Sequence, residues 1–319
     1  MLNKPKKNSK TPINRQLQSY GFSPLKRFSQ NFLTDERIAG KIIDAFELKE
    51  DDTVIEIGPG LGMLTERLLD TGAKVLAIEI DKGFADILDK RFGSRDNFEK
   101  IICQDALKIS YKELFCRVGC AHQKQTDKNG GQSPPYNDNK KLAPAGIKQW
   151  FKVISNLPYN ISTPIIFKLL EEREIFSMFL LMLQKEVAER IVSQPDTKEY
   201  GVLSIFVQLF ADVNIEFDVP PSSFYPKPNV YSSVVRFTIL QKPRVEIYDI
   251  SFFKRVVKAS FGQRRKTLLN ALKVLKLTTQ EIRNALEQSG IEPQARGETL
   301  SLKEFGILSN NLKKIAEHI

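Results

Sequence analysis

The segment Asn156-Leu157-Pro158-Tyr159 brings an amide, a main-chain carbonyl and an aromatic ring to the end of one apolar run. The exocyclic amine of a planar base is a poor nucleophile because its lone pair is delocalised into the ring. The side-chain oxygen of Asn156 and the carbonyl of Leu157, which Pro158 keeps in extended geometry, would accept its two N–H groups and direct that lone pair. Tyr159 would stack on the base. The same residues also suit a strand that ends in an ordinary proline turn, since short motifs match by chance.

A second group of residues has the types and spacing expected for binding a nucleoside. Gly58, Gly60 and Gly62 form a loop between a predicted strand and a predicted helix, where glycine lets a ligand approach the backbone closely. Glu79 ends the next predicted strand, where a carboxylate would accept hydrogen bonds from two ribose hydroxyls. Asp105 follows the third strand, where it would accept an adenine amine. By itself, the loop also suits a tight turn that binds no ligand.

The loop departs from the dinucleotide fingerprint G-x-G-x-x-G because Met63 occupies the position of its third glycine. A nucleoside cofactor without a pyrophosphate fits better, and S-adenosylmethionine is the cofactor that we predict. Glu56 would lie near its cationic methionine end or act as a structural cap of the strand. Transfer from a sulfonium needs no strong general base, in agreement with the presence of only two histidines, His122 and His318.

Phe224 is a further candidate for the base pocket. It lies in the proline-rich segment Ser223-Phe-Tyr-Pro-Lys-Pro-Asn-Val230, and its ring would form the wall opposite Tyr159. A buried aromatic residue before a rigid turn is the alternative interpretation.

Short Val- and Ile-rich runs that alternate with amphipathic segments predict a largely parallel sheet with helices on both faces. The predicted strands are Thr53–Ile57, Lys74–Ile80, Phe98–Cys103, Phe151–Ser155, Ser177–Leu183, Asn214–Val219 and Val230–Leu240. The predicted helices among them are Leu61–Asp70, Lys82–Arg91, Tyr111–Cys116, Thr163–Glu172, Lys185–Ser193 and Tyr200–Phe210. Beyond Pro243 the pattern becomes helical, with predicted helices Ser251–Ser260, Arg264–Leu275, Thr279–Gln288 and Leu302–Glu317.

Composition divides the chain into three parts. Residues 1–25 are polar and basic, and we expect them to form a disordered arm. Residues 26–242 contain the alternating pattern and form the predicted methyltransferase domain. A Gly-, Pro- and Asn-rich stretch at 118–148 interrupts it, and we interpret this stretch as a mobile insertion. Residues 243–319 form a predicted helical domain.

The formal net charge of +10 is unevenly distributed. Residues 1–34 contain seven Lys or Arg and no acid, and residues 251–280 contain eight and no acid. Clustered cations are typical of proteins that bind a polyanion, because phosphate contacts release counterions. Solvated charge that only aids solubility is the alternative. The residues predicted to bind RNA are Lys254, Arg255, Lys258, Arg264, Arg265 and Lys266.

Cysteine usage and hydropathy exclude several classes of protein. Three cysteines in 319 residues form no disulfide framework. Cys116, Cys120 and His122 lack the second ligand pair of a tetrahedral site, so we expect no metal. No run approaches the ~20 apolar residues of a membrane span, and the N-terminus lacks the apolar region of a secretory signal. We therefore expect a cytoplasmic protein; an organelle transit peptide is the alternative, which the scarcity of arginine disfavours.

The chain resembles the ribosomal RNA adenine dimethyltransferases, and within that family the bacterial enzymes that modify the small subunit. The matching stretches cover nearly all of the chain outside 1–25 and 118–148. They are Phe28-Ser-Gln-Asn-Phe-Leu33, Glu56-Ile-Gly-Pro-Gly-Leu-Gly62, Glu79-Ile-Asp81, Asp105-Ala106, Asn156-Leu-Pro-Tyr-Asn-Ile-Ser162, Phe224-x-Pro-x-Pro-x-Val230, Gln263-Arg-Arg-Lys-Thr267 and Arg296-x-Glu-x-Leu-Ser301.

This resemblance implies a class I S-adenosylmethionine-dependent methyltransferase fold, which is a Rossmann-like, seven-stranded, mostly parallel sheet, with a small α-helical C-terminal domain. It implies that residues 28–33 lie over the cofactor, and that the cofactor contacts Asn31, Leu33, Gly58, Glu79, Asp105 and Asn156. The implied reaction transfers four methyl groups to two adjacent adenosines in a hairpin near the 3′ end of small-subunit rRNA. The substrate would be a pre-ribosomal small subunit, on which the protein would also act as an assembly factor; we expect a monomer.

Three other functions stay open. A large-subunit rRNA adenine methyltransferase of the macrolide-resistance type would share the pocket, but the basic segment 263–267, interpreted as helical, disfavours it. A noncatalytic nucleic-acid-binding factor on the same fold is disfavoured by the intact Asn156–Tyr159 segment and by the cofactor acids. A dehydrogenase is disfavoured by Met63 and by the lack of an acid/base for hydride transfer.

Overall fold

The computed structural model describes residues 31–116, 150–263 and 265–317. The predicted arm at 1–25, the predicted insertion at 118–148 and the predicted RNA contact Arg264 lie outside these ranges. Over the described ranges, no helix is both long enough and apolar enough to cross a bilayer. Over the same ranges, no group of three His, Cys, Asp or Glu side chains is arranged to hold a metal ion.

A seven-stranded sheet forms the centre of the fold, and a two-stranded ribbon lies beside it. The strands are β1 Phe32–Leu33, β2 Thr53–Ile57, β3 Lys74–Glu79, β4 Phe98–Cys103, β5 Phe151–Asn156, β6 Phe176–Gln184, β7 Ala211–Val219, β8 Phe224–Tyr225 and β9 Ser232–Ile239. The order in the sheet is β4-β3-β2-β5-β6-β9-β7, and β1 pairs with β8 in the ribbon.

The pairing of the strands confirms the predicted, mostly parallel sheet. β2, β3, β4, β5 and β6 are parallel to their neighbours among these five, and β9 is antiparallel to β6 and to β7. All five residues of β2 are buried, as expected for a parallel strand that helices cover on both faces. The register pairs Ile57 with both Ile78 and Ser155, so β2, β3 and β5 end at the same edge of the sheet. Ligands of open α/β sheets bind at this edge.

Most of the predicted helices are present, with ends that shift by a residue or two. The helices that have defined bounds are α1 Glu36–Phe46, α2 Met63–Asp70, α3 Lys82–Phe92, α4 Ser162–Glu171, α5 Lys185–Val192, α6 Val202–Phe210, α7 Ile250–Phe261, α8 Leu268–Ala271, α9 Thr279–Gln288 and α10 Leu302–Glu317. Residues 111–116 are also helical.

The sequence predictions do not include α1, which carries β1 to its place beside the sheet. Asp35 caps this helix by accepting a hydrogen bond from the Arg37 amide at 3.0 Å. Two cations hold its far end: Arg236 pairs with the Glu47 carboxylate at 2.9 Å, and Lys152 donates to the Glu47 carbonyl at 3.1 Å. The buried face of α1 consists of Ala39, Ile42 and Phe46.

The predicted helix Arg264–Leu275 is wrong over its first turn, because α8 begins only at Leu268. Thr267 is extended, with φ −67° and ψ 156°. The amides of Leu268 and Leu269 donate to the carbonyls of Ala295 and Pro293, at 2.8 and 3.4 Å. A neighbouring segment therefore satisfies these first amides, and Arg265 and Lys266 before them lie in a turn. After α8 the chain forms a 3₁₀ turn over Leu272–Leu275.

Two large apolar clusters pack the molecule. One contains residues of α1, α2 and α3 together with β2 and β3. The other contains residues of β5 and β6 and of α4 and α6, and it extends without interruption into α7, α9 and α10. The rings of Phe206 in α6 and Phe253 in α7 meet edge to face, with centroids 5.7 Å apart. The C-terminal helices thus share a core with the sheet, and the predicted division at residue 243 stays a prediction.

Candidate active site

A cavity of about 710 Å³ lies at the carboxyl ends of β2, β3 and β5. Residues of the predicted cofactor site and of the predicted base site line it together. From these two sets it contains Asn31, Leu33, Gly58, Gly60, Glu79, Asp105, Asn156, Leu157, Pro158 and Tyr159. Glu56 also lines it.

The glycine loop forms one wall of this cavity. Gly58 and Gly60 have φ values of +68° and +56°, a conformation that disfavours residues with a side chain. A Cβ atom placed on Gly58 would meet no atom within 4 Å, so the space beside it is open. A Cβ atom on Gly60 would lie 3.1 Å from the ring of Phe32. The absence of a side chain at Gly60 therefore allows β1 to lie directly over the loop.

Glu79 is buried at the end of β3 and holds the glycine loop to that strand. Its Oε2 accepts a hydrogen bond from the Gly60 amide at 3.2 Å, and its Oε1 accepts one from the Asp81 amide at 3.0 Å. Burial raises the pKa of this carboxyl, and the amide hydrogen bonds act against that shift. Each carboxylate oxygen has more than one acceptor position, so hydroxyl groups of a ligand can still bind.

Glu56 supplies a second buried carboxyl group to the same cavity. Its Oε2 accepts a hydrogen bond from the Thr65 hydroxyl at 2.6 Å. Burial raises the pKa of Glu56 to about 8; the Thr65 hydroxyl opposes this shift, and the charge of Glu79 adds to it. Two desolvated carboxyl groups that repel each other make the cavity favourable for a cation.

Ile80 and Asp105 line the part of the cavity beyond Glu79. The side chain of Ile80 is 51% exposed although it directly follows a buried strand. Asp105 is oriented by the Leu107 amide, which donates to its Oδ1 at 3.0 Å. An exposed apolar surface beside an oriented acceptor suits a planar base with an amine. The sequence predictions missed Ile80; an apolar residue directly after the strand-end carboxylate was the available signal.

Asn156 ends β5, and a hydrogen bond to the β1 side of the cavity orients its amide. The Nδ2 group donates to the main-chain oxygen of Asn31 at 2.9 Å, which leaves Oδ1 as the acceptor of this side chain. The next residue, Leu157, is held in two ways. Its amide donates to the Met182 carbonyl at 3.3 Å, and its side chain is buried. The Pro158 carbonyl accepts from the Ile161 amide at 3.1 Å, which closes the turn.

Tyr159 is half-buried, and its hydroxyl lies 3.0 Å from the Ser232 hydroxyl. Burial raises the pKa of Tyr159, and this hydrogen bond opposes the shift. Because β9 is antiparallel, its first residue, Ser232, comes to the same edge at which β6 ends, opposite Gln184. A residue of the antiparallel strand β9 thus fixes the position of the Tyr159 ring at the carboxyl ends of the parallel strands.

Phe224 differs from its predicted position on the pocket wall. Its side chain is 5% exposed, packs in the same apolar cluster as Leu33 and Phe46, and does not line the cavity. The reason is the ribbon register, which pairs Phe224 with Leu33 and puts both side chains on the core side. Of the two interpretations, the packing agrees with a buried aromatic residue before a turn; a contact with a base stays a prediction that requires the ring to move.

The predicted RNA-binding residues separate into two groups. Arg255, Lys258 and Lys266 line a second cavity of about 570 Å³ between α7 and α8. Arg265 is exposed in the turn before α8. Lys254 instead faces α4, where it pairs with Glu171 at 2.9 Å and lies 5.5 Å from the ring centroid of Phe167. We call the second cavity, with its three cations, the basic groove.

The sequence is similar to a known family over most of its length. The family model described as ribosomal RNA adenine dimethylase matches residues 21–314. A ribosomal RNA small subunit methyltransferase A of Clostridium acetobutylicum is 40% identical over 296 residues, which are 93% of this chain and 96% of that protein. The protein of the same name from Geobacter metallireducens is 41% identical over 295 residues, 92% of this chain and 97% of its own length.

Two solved structures share the fold. The crystal structure of a dimethyladenosine transferase from Plasmodium falciparum has a TM-score of 0.65 and 26% identity, and the match covers 89% of this chain and 98% of that one. The crystal structure of the 23S rRNA methyltransferase ErmE has a TM-score of 0.60 and 22% identity, and the match covers 89% of this chain and all of the other. The arrangement of sheet and helices is thus that of class I methyltransferases.

Proposed function

The chain belongs to the ribosomal RNA adenine dimethylase family, and we propose that it dimethylates N6 of two adjacent adenosines in a hairpin near the 3′ end of small-subunit rRNA. The substrate would be a pre-ribosomal small subunit, on which the protein acts as a monomer in the cytoplasm. One observation carries the proposal: the glycine loop with its acids and the Asn156–Tyr159 segment line the same cavity. A donor and an acceptor amine can therefore meet there without a rearrangement of the sheet.

The donor and acceptor groups of the cavity fit S-adenosylmethionine. Glu79 would accept the ribose hydroxyls, and the exposed side chain of Ile80 would pack on the adenine. Asp105 would accept the adenine amine, and the open space beside Gly58 allows close approach of the backbone. Glu56 would stabilise the cationic end, since its carboxyl is buried and near a second carboxyl. When bound, this cofactor supplies a methyl group on a sulfonium, which is an activated leaving group.

The chain's own residues would make the target amine nucleophilic by orienting it. Asn156 uses its Nδ2 group for Asn31, so Oδ1 is available to accept one N–H of the target. The Leu157 carbonyl would accept the other, and the anchoring of Leu157 through Met182 keeps that carbonyl in place. Two fixed acceptors favour a pyramidal nitrogen whose lone pair is directed at the methyl group. Such preorganisation is effective because no reorganisation is required during the reaction.

Tyr159 would bind the face of the target adenine. Its hydrogen bond to Ser232 holds the ring at the edge of the cavity, and stacking on an aromatic side chain contributes about 1–3 kcal/mol per base. The target base must leave its own stack to reach this position. After methyl transfer, the amine is acidic and its proton can pass to solvent, so neither Asn156 nor Tyr159 is required as a base.

The RNA would be held mainly by charge at the C-terminal helices. Arg255, Lys258 and Lys266 converge on the basic groove, and Arg265 is exposed beside it. Contacts of this type give affinity that depends on counterion release and carries little sequence information. Lys254 contributes less to this surface because Glu171 already neutralises it.

The decisive experiment is to incubate the purified full chain with labelled S-adenosylmethionine and immature small subunits, then to map the products by mass spectrometry. We expect dimethylation of two adjacent adenosines in small-subunit rRNA. The Asn156→Ala variant should lose about 10²–10³-fold in turnover, the effect of removing one fixed polar contact to a transition state, and should still bind the cofactor.

A matched control is Asn284→Ala, which removes an exposed asparagine of α9 that lines neither cavity. It should methylate like the wild type. Modification of large-subunit rRNA instead would contradict the proposed substrate. Full activity of the Asn156→Ala variant would contradict the orienting role of its side chain.

A further inference from the structure

A run of exposed residues with two tyrosines lies between buried Phe224 and buried Ser232. Residues 225–227 and 229–231 are all exposed. The side chains of Tyr225 and Tyr231 are 39% and 52% exposed, and Val230 between them is 43% exposed. We call residues 225–231 the aromatic ridge. Large apolar side chains that are exposed close together often mark a surface that binds a partner.

One end of the aromatic ridge adjoins the cofactor side of the active site. Tyr225 pairs with Phe32 across the two-stranded ribbon. Directly paired residues of antiparallel strands have their side chains on the same face, about 4.5–5.5 Å apart at Cβ. The ring of Phe32 lies over Gly60 and lines the cavity. Tyr225 therefore lies at the rim of this cavity, on the face opposite to that of Phe224.

The other end adjoins the residue that would stack on the target base. Tyr231 directly precedes Ser232, whose hydroxyl is 3.0 Å from that of Tyr159. The Tyr231 carbonyl accepts a hydrogen bond from the Lys185 amide at 3.0 Å, which anchors its backbone at the end of β6. Both tyrosines thus combine an anchored backbone with an exposed ring, and only side-chain freedom is lost when they bind a ligand.

The chemistry of the ridge suits unpaired nucleotides. Lys227 is exposed between the tyrosines. When a target base leaves its stack, its neighbours lose a stacking partner, and aromatic side chains replace that partner for any base. Rings for bases, a cation for phosphate and continuity with the base site favour RNA over an apolar protein surface as the occupant.

We propose that Tyr225 and Tyr231 stack on the unpaired nucleotides that adjoin the target adenosine. This inference rests on the proposed function, since it takes the adenosine bound near Asn156 and Tyr159 as its reference point. The two tyrosines bind RNA and are not catalytic residues, because they contact neither the reacting amine nor the cofactor.

Steady-state kinetics of the full chain on small subunits would separate this role from the others. Tyr225→Ala and Tyr231→Ala should each raise KM for the RNA substrate roughly 5- to 20-fold, as expected for the loss of one base stack. KM for S-adenosylmethionine should not change. The Phe variants at both positions should behave like the wild type, because the ring is retained.

Tyr248→Ala is the matched control. This tyrosine is 55% exposed, but Lys314 already lies 5.4 Å from its ring centroid, and it belongs to the segment before α7. The variant should show the wild-type KM for RNA. A rise in KM for RNA in Tyr248→Ala equal to that in Tyr231→Ala would overturn the proposal, since it would indicate a general effect of removing surface rings.

A binding measurement without turnover separates the failure of this inference from the failure of the proposed function. We would place 2-aminopurine beside the target adenine in a hairpin RNA and titrate it with protein. Wild-type protein should quench its fluorescence by stacking, and the Ala variant of the tyrosine that stacks on this nucleotide should not. If the wild type methylates small subunits and both Ala variants quench the fluorescence as the wild type does, the stacking role of the aromatic ridge is refuted and the proposed function stands. If the wild type does not methylate small subunits, the proposed function itself is refuted. If the protein forms dimers that the Tyr231→Ala substitution dissociates without a change in RNA binding, the aromatic ridge binds a second copy of the chain and not RNA.

Discussion

Two cavities among the described residues differ in the charges that line them. Six carboxyl groups and two guanidinium groups line the active-site cavity: Glu36, Glu56, Glu66, Asp70, Glu79, Asp105, Arg67 and Arg91. The basic groove has three cations, Arg255, Lys258 and Lys266, and no acid. In the first, the acids nearest the sheet are buried and hold main-chain or hydroxyl partners. In the second, all three cations are exposed.

This contrast separates recognition by geometry from recognition by charge. Buried, hydrogen-bonded acids bind a small ligand in one orientation, and salt screens them weakly. Exposed cations bind any polyanion, and salt weakens that binding steeply. Cofactor affinity should therefore depend on single atoms at the sheet edge, and RNA affinity on the number of cations at the surface.

The largest change in ligand affinity should follow the substitution of Glu79, one of the two buried acids of the first cavity. Glu79→Gln keeps the size of the side chain but removes the charge that accepts ligand hydroxyls. Hydrogen bonds to a charged group contribute about 1.5–3 kcal/mol each, so affinity for S-adenosylmethionine should fall roughly 10- to 100-fold. Isothermal titration calorimetry would measure this change. RNA binding at fixed salt should stay the same.

Asp86→Asn is a control for the loss of one negative charge, since Asp86 is an exposed acid of α3 that does not line the cavity. It should bind the cofactor like the wild type. An equal loss of affinity in both variants would mean that net charge, and not the position of Glu79, determines cofactor binding.

The difference between the cavities also explains which features the sequence predicts. The strands Thr53–Ile57 and Phe98–Cys103 have the predicted bounds. For Thr53–Ile57 the reason is that a parallel strand buried on both faces is a nearly continuous apolar run. The acids at the ends of successive strands converge because parallel strands end at one edge. Glu79 and Asp105 were therefore predictable as members of one site from their positions alone.

Features that depend on long-range pairing were not predictable in this way. The face on which Phe224 packs depends on its register with Leu33, which lies far from it in the chain. The start of α8 depends on carbonyls of Pro293 and Ala295 that replace its own first turn. The sequence predicts Ile80 as the last residue of a buried strand. In the structure that strand ends one residue earlier, at Glu79, and Ile80 is exposed.

A smaller change in affinity should follow the removal of cations from the basic groove. The double variant Lys258→Ala/Lys266→Ala should lower affinity for small-subunit rRNA roughly 5- to 20-fold near physiological salt. Each lost phosphate contact should also reduce the slope of log K against log salt by about one. Binding measured over a series of salt concentrations would test both values. Affinity for S-adenosylmethionine should not change.

Lys254→Ala is the matched control, because Lys254 belongs to the same helix as Lys258 but pairs with Glu171. The Lys254→Ala variant should retain nearly the whole slope of log K against log salt concentration. If Lys254→Ala and the groove variant reduce the slope equally, the groove has no special role and the charge of the whole helix face binds the RNA.

The protonation of Glu56 should affect the stability of the acidic cavity and not the affinity of the basic groove. The pKa of Glu56 is about 8 in the folded protein and near its usual value of 4.5 in the unfolded chain. The folded protein therefore binds more protons between these values. This contribution to stability is fully present below the unfolded pKa and is lost as pH rises through the folded pKa, by at most about 1.4 kcal/mol per pH unit.

Glu56→Gln should remove this dependence while keeping an acceptor for the Thr65 hydroxyl. Melting temperatures of the ligand-free protein should fall less steeply with pH in the variant than in the wild type between about pH 5 and pH 8. Burial also raises the pKa of Glu79, so a residual slope should persist in the variant. A cation bound beside Glu56 should favour its ionised form. The wild-type protein should therefore release protons when it binds S-adenosylmethionine near neutral pH, and the Glu56→Gln variant should release fewer. Calorimetry in buffers of different ionisation enthalpy would measure that release; equal release from both proteins would mean that the cationic end of the cofactor does not lie beside Glu56.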